Sequence, residues 1–425
     1  MITYEEACDI VFSAKKFGIC LGLERMEAML KELGHPEQRL LAMHLAGTNG
    51  KGSTLTYLQA IFTEAGFSVG TYTSPAIQRI NDKIRFNGEE ISDEDFAQLT
   101  EQLIPVIGKL KGTNLGAPTE FEILTAMAFQ YFATIAKPDI VLVETGLGGR
   151  LDSTNVIKPL LSIITSIGHD HMDLLGDTIS DVTREKAGII KQRTPIISGC
   201  KQEDAKQVIK ERCLEEEADL YQLGEEFLCD QNVETFSFMF QQLKYENLKA
   251  GMLGAHQQEN ASLAIMAVHC LKKIRDFHIN DDHIRLGITK AKIANRIEVI
   301  KQKPTVIFDG GHNQEGIEAL SKTLAHTFHN RRIVVLFCAM KDKDIKAMLR
   351  PMTDVASEIV LTSFPYERAM DPDLAYEMYP HEKLKVIHEW DQAYEKIVRN
   401  LAVDDVFVIT GSFYFLNHMR NHLKF

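Results

Sequence analysis

A chain of 425 residues, 45% hydrophobic and 25% charged, has room for two or three domains and the composition of a globular protein with a sizeable core. A formal net charge of -12 argues against a nucleic-acid partner, which a basic patch would announce, although a local cationic loop can still hold an anionic substrate. No stretch approaches the ~20 apolar residues that span a bilayer, the start MITYEEACDI does not read as a secretory signal, and seven cysteines without a C-x-x-C pair fit a reducing compartment, so a cytoplasmic location is expected.

Taken in chain order, MHLAG (43–47) reads as a buried strand that runs through a glycine loop into the helical pattern STLTYLQAIFTEAG. TEFEILTAMAFQYFATIA (119–136) reads as a second helix, followed by the apolar runs DIVLVETG (139–146), PLLSIITSIG (159–168) and PIISG (195–199). Continuous apolar strands alternating with amphipathic helices indicate βαβ units and a mainly parallel sheet covered on both faces. Residues 220–250 read as an antiparallel excursion. A second series then begins: PTVIFDGG, RRIVVLFCAM, SEIVLTSF, KLKVIH and DDVFVITGS, again separated by helical patterns. The fold class is therefore α/β: an N-terminal P-loop-type ATPase domain with a mainly parallel sheet, and a smaller Rossmann-like C-terminal α/β domain. The polar segment NRIEVIKQKP (295–304) marks the break, dividing the chain into 1–296 and 297–425.

The stretch HLAGTNGKGST (44–54) departs from G-x-x-x-x-G-K-[ST]: only two residues separate Gly47 from Gly50, and Gly52 stands between Lys51 and Ser53. Strand, glycine loop and helix still make an anion site, because freed backbone N–H groups and a helix N-terminus both face the loop. Lys51 would reach the β/γ phosphates and the Ser53 or Thr54 hydroxyl would lie near a metal; the bland alternative is a glycine-rich turn with a solvated lysine. Ser74 follows a short strand toward the same edge. Glu144 ends the strand DIVLVE, at the edge where ligands of open α/β sheets bind, and offers Mg²⁺ a hard oxygen ligand. Asp152 and Asn155 behind it add polar recognition groups. GHDHMDLLGDT (168–178) matches no zinc spacing, so one histidine, His169 or His171, would join a mostly oxygen site. Lys186, in TREKAGIIK, reads on its own as a solvated charge. In the second domain FDGGHNQEG presents Asp309, His312 and Asn313 at a strand end, and CAMKDKDI does the same with Lys341, Asp342 and Lys343.

Together GLERM, HLAGTNGKGST, TSP, ETGLGGRLDSTN, GHDHMDLLG, EKAGIIK, GAHQQENASLA, NRIE, DGGHN and AMKDKD resemble folylpolyglutamate synthases, with or without dihydrofolate synthase activity, of the Mur ligase superfamily. The resemblance runs from about residue 18 to 345, and ITGSFYF near the end also fits. It implies that MgATP phosphorylates the terminal carboxylate of a folate and that the amine of L-glutamate then attacks the acyl phosphate. Residue by residue, Gly50, Lys51, Gly52 and Ser53 would hold the ATP phosphates, with Asn260, Arg296 and Asp309 as further nucleotide contacts. Ser74, Glu144 and His171 match magnesium ligands at two metal positions that share Glu144. Lys186 matches a lysine that the family converts with CO₂ to a carbamate, an oxygen ligand for the second metal. His312, matched to a catalytic role beside Lys51 and Lys186, and Lys341 would meet nucleotide or glutamate. Asp152, with Leu151 and Ser153, matches the pterin side, and Glu120 and Glu122 lie near the folate. The family's DGAHNP appears here as DGGHNQ, which removes no chemical group.

The implied partners are small molecules, namely folate, L-glutamate and ATP, without nucleic acid or membrane, and the implied state is a monomer. The alternatives are dihydropteroate as substrate, alone or as a second activity, a peptidoglycan-precursor ligase, and a nucleotide-dependent regulatory binder without turnover. A phosphate loop that starts by residue 47 disfavours the peptidoglycan reading, which calls for an extra N-terminal domain.

Overall fold

The computed structural model describes residues 2–18, 20–76, 79–232, 234–275 and 277–423. The apolar runs of the first part become the strands β1 (Ala42–Ala46), β2 (Val69–Tyr72), β3 (Ile84–Phe86), β4 (Glu89–Glu90), β5 (Ile140–Glu144), β6 (Leu161–Ile164), β7 (Ile196–Ser198) and β8 (Leu220–Gln222). They form one sheet in the order β4-β3-β2-β5-β1-β6-β7-β8. The six strands from β2 across to β8 run parallel, and β3 and β4 fold back antiparallel at one edge. β1 and β5 are buried along their whole length, as strands covered on both faces must be.

On one face Tyr72, Val141 and Val143 pack with Met29, Phe96, Leu124 and Phe129 from helices. Toward β6 and β7, Ala46, Ile164 and Ile196 pack with Val182, Ile190 and Ile209. The helix Asp281–Lys290 lies so close to the helix Lys51–Glu64 that a Cβ on Gly287 would stand 2.6 Å from the Cα of Ile61. Of the expected excursion, residues 220–222 instead extend the main sheet as β8, parallel to β7; only the rest is a separate antiparallel sheet, of β9 (Phe227–Gln231), β10 (Phe236–Phe240) and β11 (Leu243–Leu248).

The second sheet holds β12 (Glu298–Gln302), β13 (Thr305–Phe308), β14 (Ile333–Phe337), β15 (Glu358–Ser363), β16 (Leu384–Glu389) and β17 (Val406–Thr410), in the order β12-β13-β17-β14-β15-β16. All neighbours are parallel except β12 with β13. Ile307, Val335 and Val408 pack on one face with Leu320, Leu324 and Met352, and Phe308, Leu336 and Phe407 on the other with Ile397 and Phe415. The polar segment read as a connection thus contains a strand, because an antiparallel edge needs no continuous apolar run.

The chain divides into two compact units. One takes residues up to Lys249 with Glu259–Ala291, and the other takes Ala250–Gln258 with everything from Lys292 onward. The sequence division at 296/297 falls a few residues inside the second unit. Among the described residues no helix is long and apolar enough to cross a membrane.

Candidate active site

In the first unit the parallel strands deliver their carboxyl ends to one edge, and the direction of chain progression changes around β1: the connection after β1 leads to β2, and the one after β5 leads across β1 to β6. Open α/β sheets bind ligands at such an edge. The loop after β1 is stitched to the loop after β6. Thr48 N–H donates to Ser166 O at 2.8 Å, Asn49 N–H to Ser166 Oγ at 3.0 Å, and Thr165 Oγ1 to Asn49 O at 2.7 Å. Gly50 has φ 91°, a backbone region that favours glycine, and a Cβ there would meet Asn260 Oδ1 at 2.5 Å. Asn260 therefore sits against the loop, where the resemblance places a nucleotide contact.

Lys51 begins the helix Lys51–Glu64, with Gly52 and Ser53 in its first turn. Its Nζ donates back to Gly47 O at 2.8 Å and lies 3.9 Å from Glu144 Oε1, at the end of β5. The Ser74 backbone N–H reaches Glu144 Oε2 at 3.4 Å. Lys186 occupies the last turn of the helix Ile179–Ala187, whose start Thr178 and Asp181 cap reciprocally. That last turn packs on the loop after β5, since Arg150 N–H donates to Glu185 O at 2.6 Å and a Cβ on Gly149 would meet Lys186 O at 2.8 Å. Lys186 is buried, and its Nζ donates to the same Gly47 O at 3.1 Å. Burial, and then repulsion from Lys51, push its ammonium down to about 7, against the pull of Asp170 and Asp152. The solvated charge read from sequence is a desolvated amine.

His171, in left-handed backbone conformation at φ 54°, opens the short helix Met172–Leu175; its side chain is 40% exposed, with Nε2 3.9 Å from Asp170 Oδ2. Among the described residues no three His, Cys, Asp or Glu side chains cluster as metal ligands. Mg²⁺ needs no such cluster: it takes one or two protein carboxylates and fills its octahedron with phosphate oxygens and waters. Glu144 beside Ser74, both next to the phosphate loop, fits that demand.

Asp152, which the resemblance matches to the pterin side, is buried and accepts from the N–H groups of Gly146 and Leu147 at 2.9 and 2.8 Å. Leu151 and the buried Ser153 flank it, and Leu151 O receives Gly22 N–H at 3.4 Å. Glu120 and Glu122 open the helix Glu120–Tyr131. Glu122 is fully buried: it caps Thr119 N–H at 2.7 Å, and both its oxygens lie 2.9 Å from Arg25 Nε, so it braces the helix start from within.

Sequence reasoning passed over Phe121 and Lys83. The Phe121 ring stacks on Tyr72 at 5.9 Å and fills the space where a Cβ on Gly146 would stand 2.5 Å away. Lys83 Nζ lies 5.8 Å from that ring's centre, and burial pushes its ammonium down despite Glu120 and Asp82 nearby. The glycine after Thr145 was the available signal of a close approach.

In the second unit Asp309 ends β13 and is buried, accepting from Ile297 N–H and Gly311 N–H at 2.9 Å each. Burial pushes its carboxyl up, opposed first by Arg296. Arg296 lies 4.6 Å over the Phe413 ring. A Cβ on Gly311 would stand 2.9 Å from Asp309 Oδ1, so the glycine that departs from the family pattern accompanies a close carboxylate. His312 Nδ1 pairs with Gly310 O at 2.9 Å, and Lys341 Nζ donates to Glu367 O at 2.8 Å.

Residues 45–268 match the Mur ligase middle domain, and residues 295–413 match the Mur ligase, glutamate ligase domain. The fold is thus that of a Mur ligase. The chain is 41% identical over 430 residues to the dihydrofolate synthase/folylpolyglutamate synthase of Bacillus subtilis, covering 99% of each chain. It resembles E. coli FolC in complex with DHPP and ADP (TM-score 0.89, 27% identity, 99% of this chain and 97% of that one). It also resembles a Mycobacterium tuberculosis folylpolyglutamate synthase complexed with ADP and AMPPCP (TM-score 0.88, 28% identity, 99% and 98%). The chain belongs to the dihydrofolate synthase/folylpolyglutamate synthase family of the Mur ligases.

Proposed function

We infer that this chain is an ATP-dependent ligase that joins the amine of L-glutamate to the terminal carboxylate of a folate. The observation that carries the reading is the convergence of Lys51 and Lys186 on Gly47 O, with Glu144 3.9 Å from Lys51, beside a phosphate loop in a chain of this family. A carboxylate is a poor electrophile because its oxygen leaves badly. Transfer of the γ-phosphoryl group to that oxygen releases ADP and gives an acyl phosphate; the glutamate amine then attacks the carbonyl carbon, phosphate departs with the C–O bond electrons, and the amine proton is lost. Charge spreads over the phosphoryl oxygens in transfer, and Lys51 with the helix N-terminus is positioned to neutralise it.

Ser74, Glu144 and His171 would hold Mg²⁺ at two positions, the second completed by a carbamate on Lys186. Bound there, the metal would act as a Lewis acid toward the phosphoryl oxygens. Gly50, Gly52, Ser53 and Asn260 would hold the nucleotide, Arg296 and Asp309 are assigned as further nucleotide contacts, and His312 is assigned the catalytic role that meets nucleotide or glutamate. Lys341 is assigned to glutamate. Leu151, Asp152, Ser153, Glu120 and Glu122 belong to the folate side, with Glu122 acting through the helix start it braces. The B. subtilis relative is named for both activities, which supports dihydropteroate as a second substrate. The seven free cysteines support a cytoplasmic setting, with the chain acting as a monomer on small molecules.

ADP release by the purified chain tests the reading with tetrahydrofolate or dihydropteroate, each with L-glutamate. Release should require both the pteridine acid and glutamate. Lys51→Ala should lower turnover by at least about a hundredfold, and near-normal turnover in that variant would remove the phosphate-loop assignment.

A further inference from the structure

Strand β1, which feeds the phosphate loop, also carries a side chain tied to the substrate-side loop. His44 is fully buried at the middle of β1, between the apolar Met43 and Leu45. Its Nε2 lies 2.8 Å from Thr154 Oγ1. That hydroxyl donates to Asp152 Oδ1 at 2.5 Å, and Thr154 N–H donates to the same oxygen at 3.0 Å. With Gly146 and Leu147 N–H on Oδ2, four donors converge on one buried carboxylate.

The direction of the chain follows from its end. Because the Thr154 proton points to the carboxylate, the Thr154 oxygen accepts, and His44 must donate Nε2–H. The imidazole is neutral, since burial pushes it down to about 3, and among the described residues its Nδ1 has no hydrogen-bond partner. A buried histidine with one unmet nitrogen is costly in a strand where an apolar residue would pack freely. What it supplies in return is a donor chain whose links polarise one another and fix the Asp152 carboxyl group in place, opposing part of the upward push of burial on it.

We propose that His44 is a positioning residue for folate recognition: through Thr154 it orients the Asp152 carboxyl group, and with it the 146–154 loop assigned to the substrate side. The inference rests on the placement of residues 151–153 at the folate in the reading above. Steady-state kinetics on His44→Phe, His44→Asn, Thr154→Val, the double variant His44→Phe/Thr154→Val and Asp152→Asn test it. His44→Phe and Thr154→Val should each raise the folate KM about tenfold, the worth of one hydrogen bond, with the ATP KM within about twofold. The double variant should be no worse than Thr154→Val alone, and His44→Asn, which keeps an N–H donor, should recover most of the loss. Thr154→Val preserves shape and carries the test if His44→Phe does not fold. An unchanged folate KM in folded Thr154→Val while Asp152→Asn raises it, or an equal rise in both KM values, overturns the relay. An unchanged folate KM in Asp152→Asn overturns the substrate-side placement itself, and the relay with it.

Discussion

The ammonium groups of Lys51 and Lys186 lie 2.8 and 3.1 Å from a single carbonyl oxygen, that of Gly47. Two like charges on one acceptor are tolerable only if one is readily discharged, and the buried Lys186 is the one pushed down to about 7. A neutral amine is a nucleophile: its lone pair can bond the carbon of CO₂, its proton leaves, and a carbamate anion results. Lys51, which repels the ammonium, then attracts the carbamate, so the same neighbour that makes the free lysine unfavourable stabilises its modified form. The intact protein should accordingly carry the mass of one CO₂ on Lys186 in bicarbonate buffer. Lys186→Ala should lose turnover by about a hundredfold or more and regain part of it with a short carboxylic acid. Absence of the adduct together with retained turnover would discard the carbamate.

At the scale of elements, the start of the helix Glu120–Tyr131 is held by a brace that crosses a long stretch of sequence. Arg25, in the helix Glu24–Glu32, binds Glu122 through Nε at 2.9 Å to both oxygens and Leu115 O at 3.0 Å. Glu122 is fully buried and Arg25 partly so, with side-chain exposures of 0% and 15%. Removing one member strands the other charge in the interior, whereas replacing both with apolar groups of similar volume leaves no charge to satisfy. Arg25→Met should cost about 3–5 kcal/mol in urea unfolding, and Arg25→Met/Glu122→Leu should recover most of it; equal losses in the single and double variants would show that packing, not charge, dominates. The central strands of both sheets were legible because burial on two faces writes itself as continuous apolar runs such as IVLVE and IVVLF, whereas the short outer strands β3, β4 and β8 were not. β12, with its two outer residues exposed, gave no such run. The placement of the glycine loop, Glu144 and Asp309 at strand ends was legible. The state of Lys186, the Arg25–Glu122 brace and the His44 relay were not, because each depends on a partner about 100 residues away or more that only tertiary packing supplies.

For the whole molecule, a net charge of -12 sets a long-range field against substrates that are all anions: nucleotide, folate and glutamate. Close to the loop Lys51 faces Glu144, while Lys186 beside Asp170 is readily discharged, so no net positive charge there offsets that field. Capture of a nucleotide is therefore opposed at a distance and favoured only on contact, where backbone N–H groups and the helix N-terminus act over one turn. Salt screens these two contributions differently. At about 0.15 M ionic strength the Debye length is about 8 Å, which removes most of the distant repulsion but little of the contact attraction. The association rate of a fluorescent ATP analogue, followed by stopped flow, should consequently rise about two- to threefold between about 10 mM and 150 mM salt. A fall over the same range would mean that a local positive field, rather than the acidic surface, steers the encounter. In that case substitutions reversing charge near Lys51 should change the slope, and substitutions on the remote acidic surface should not.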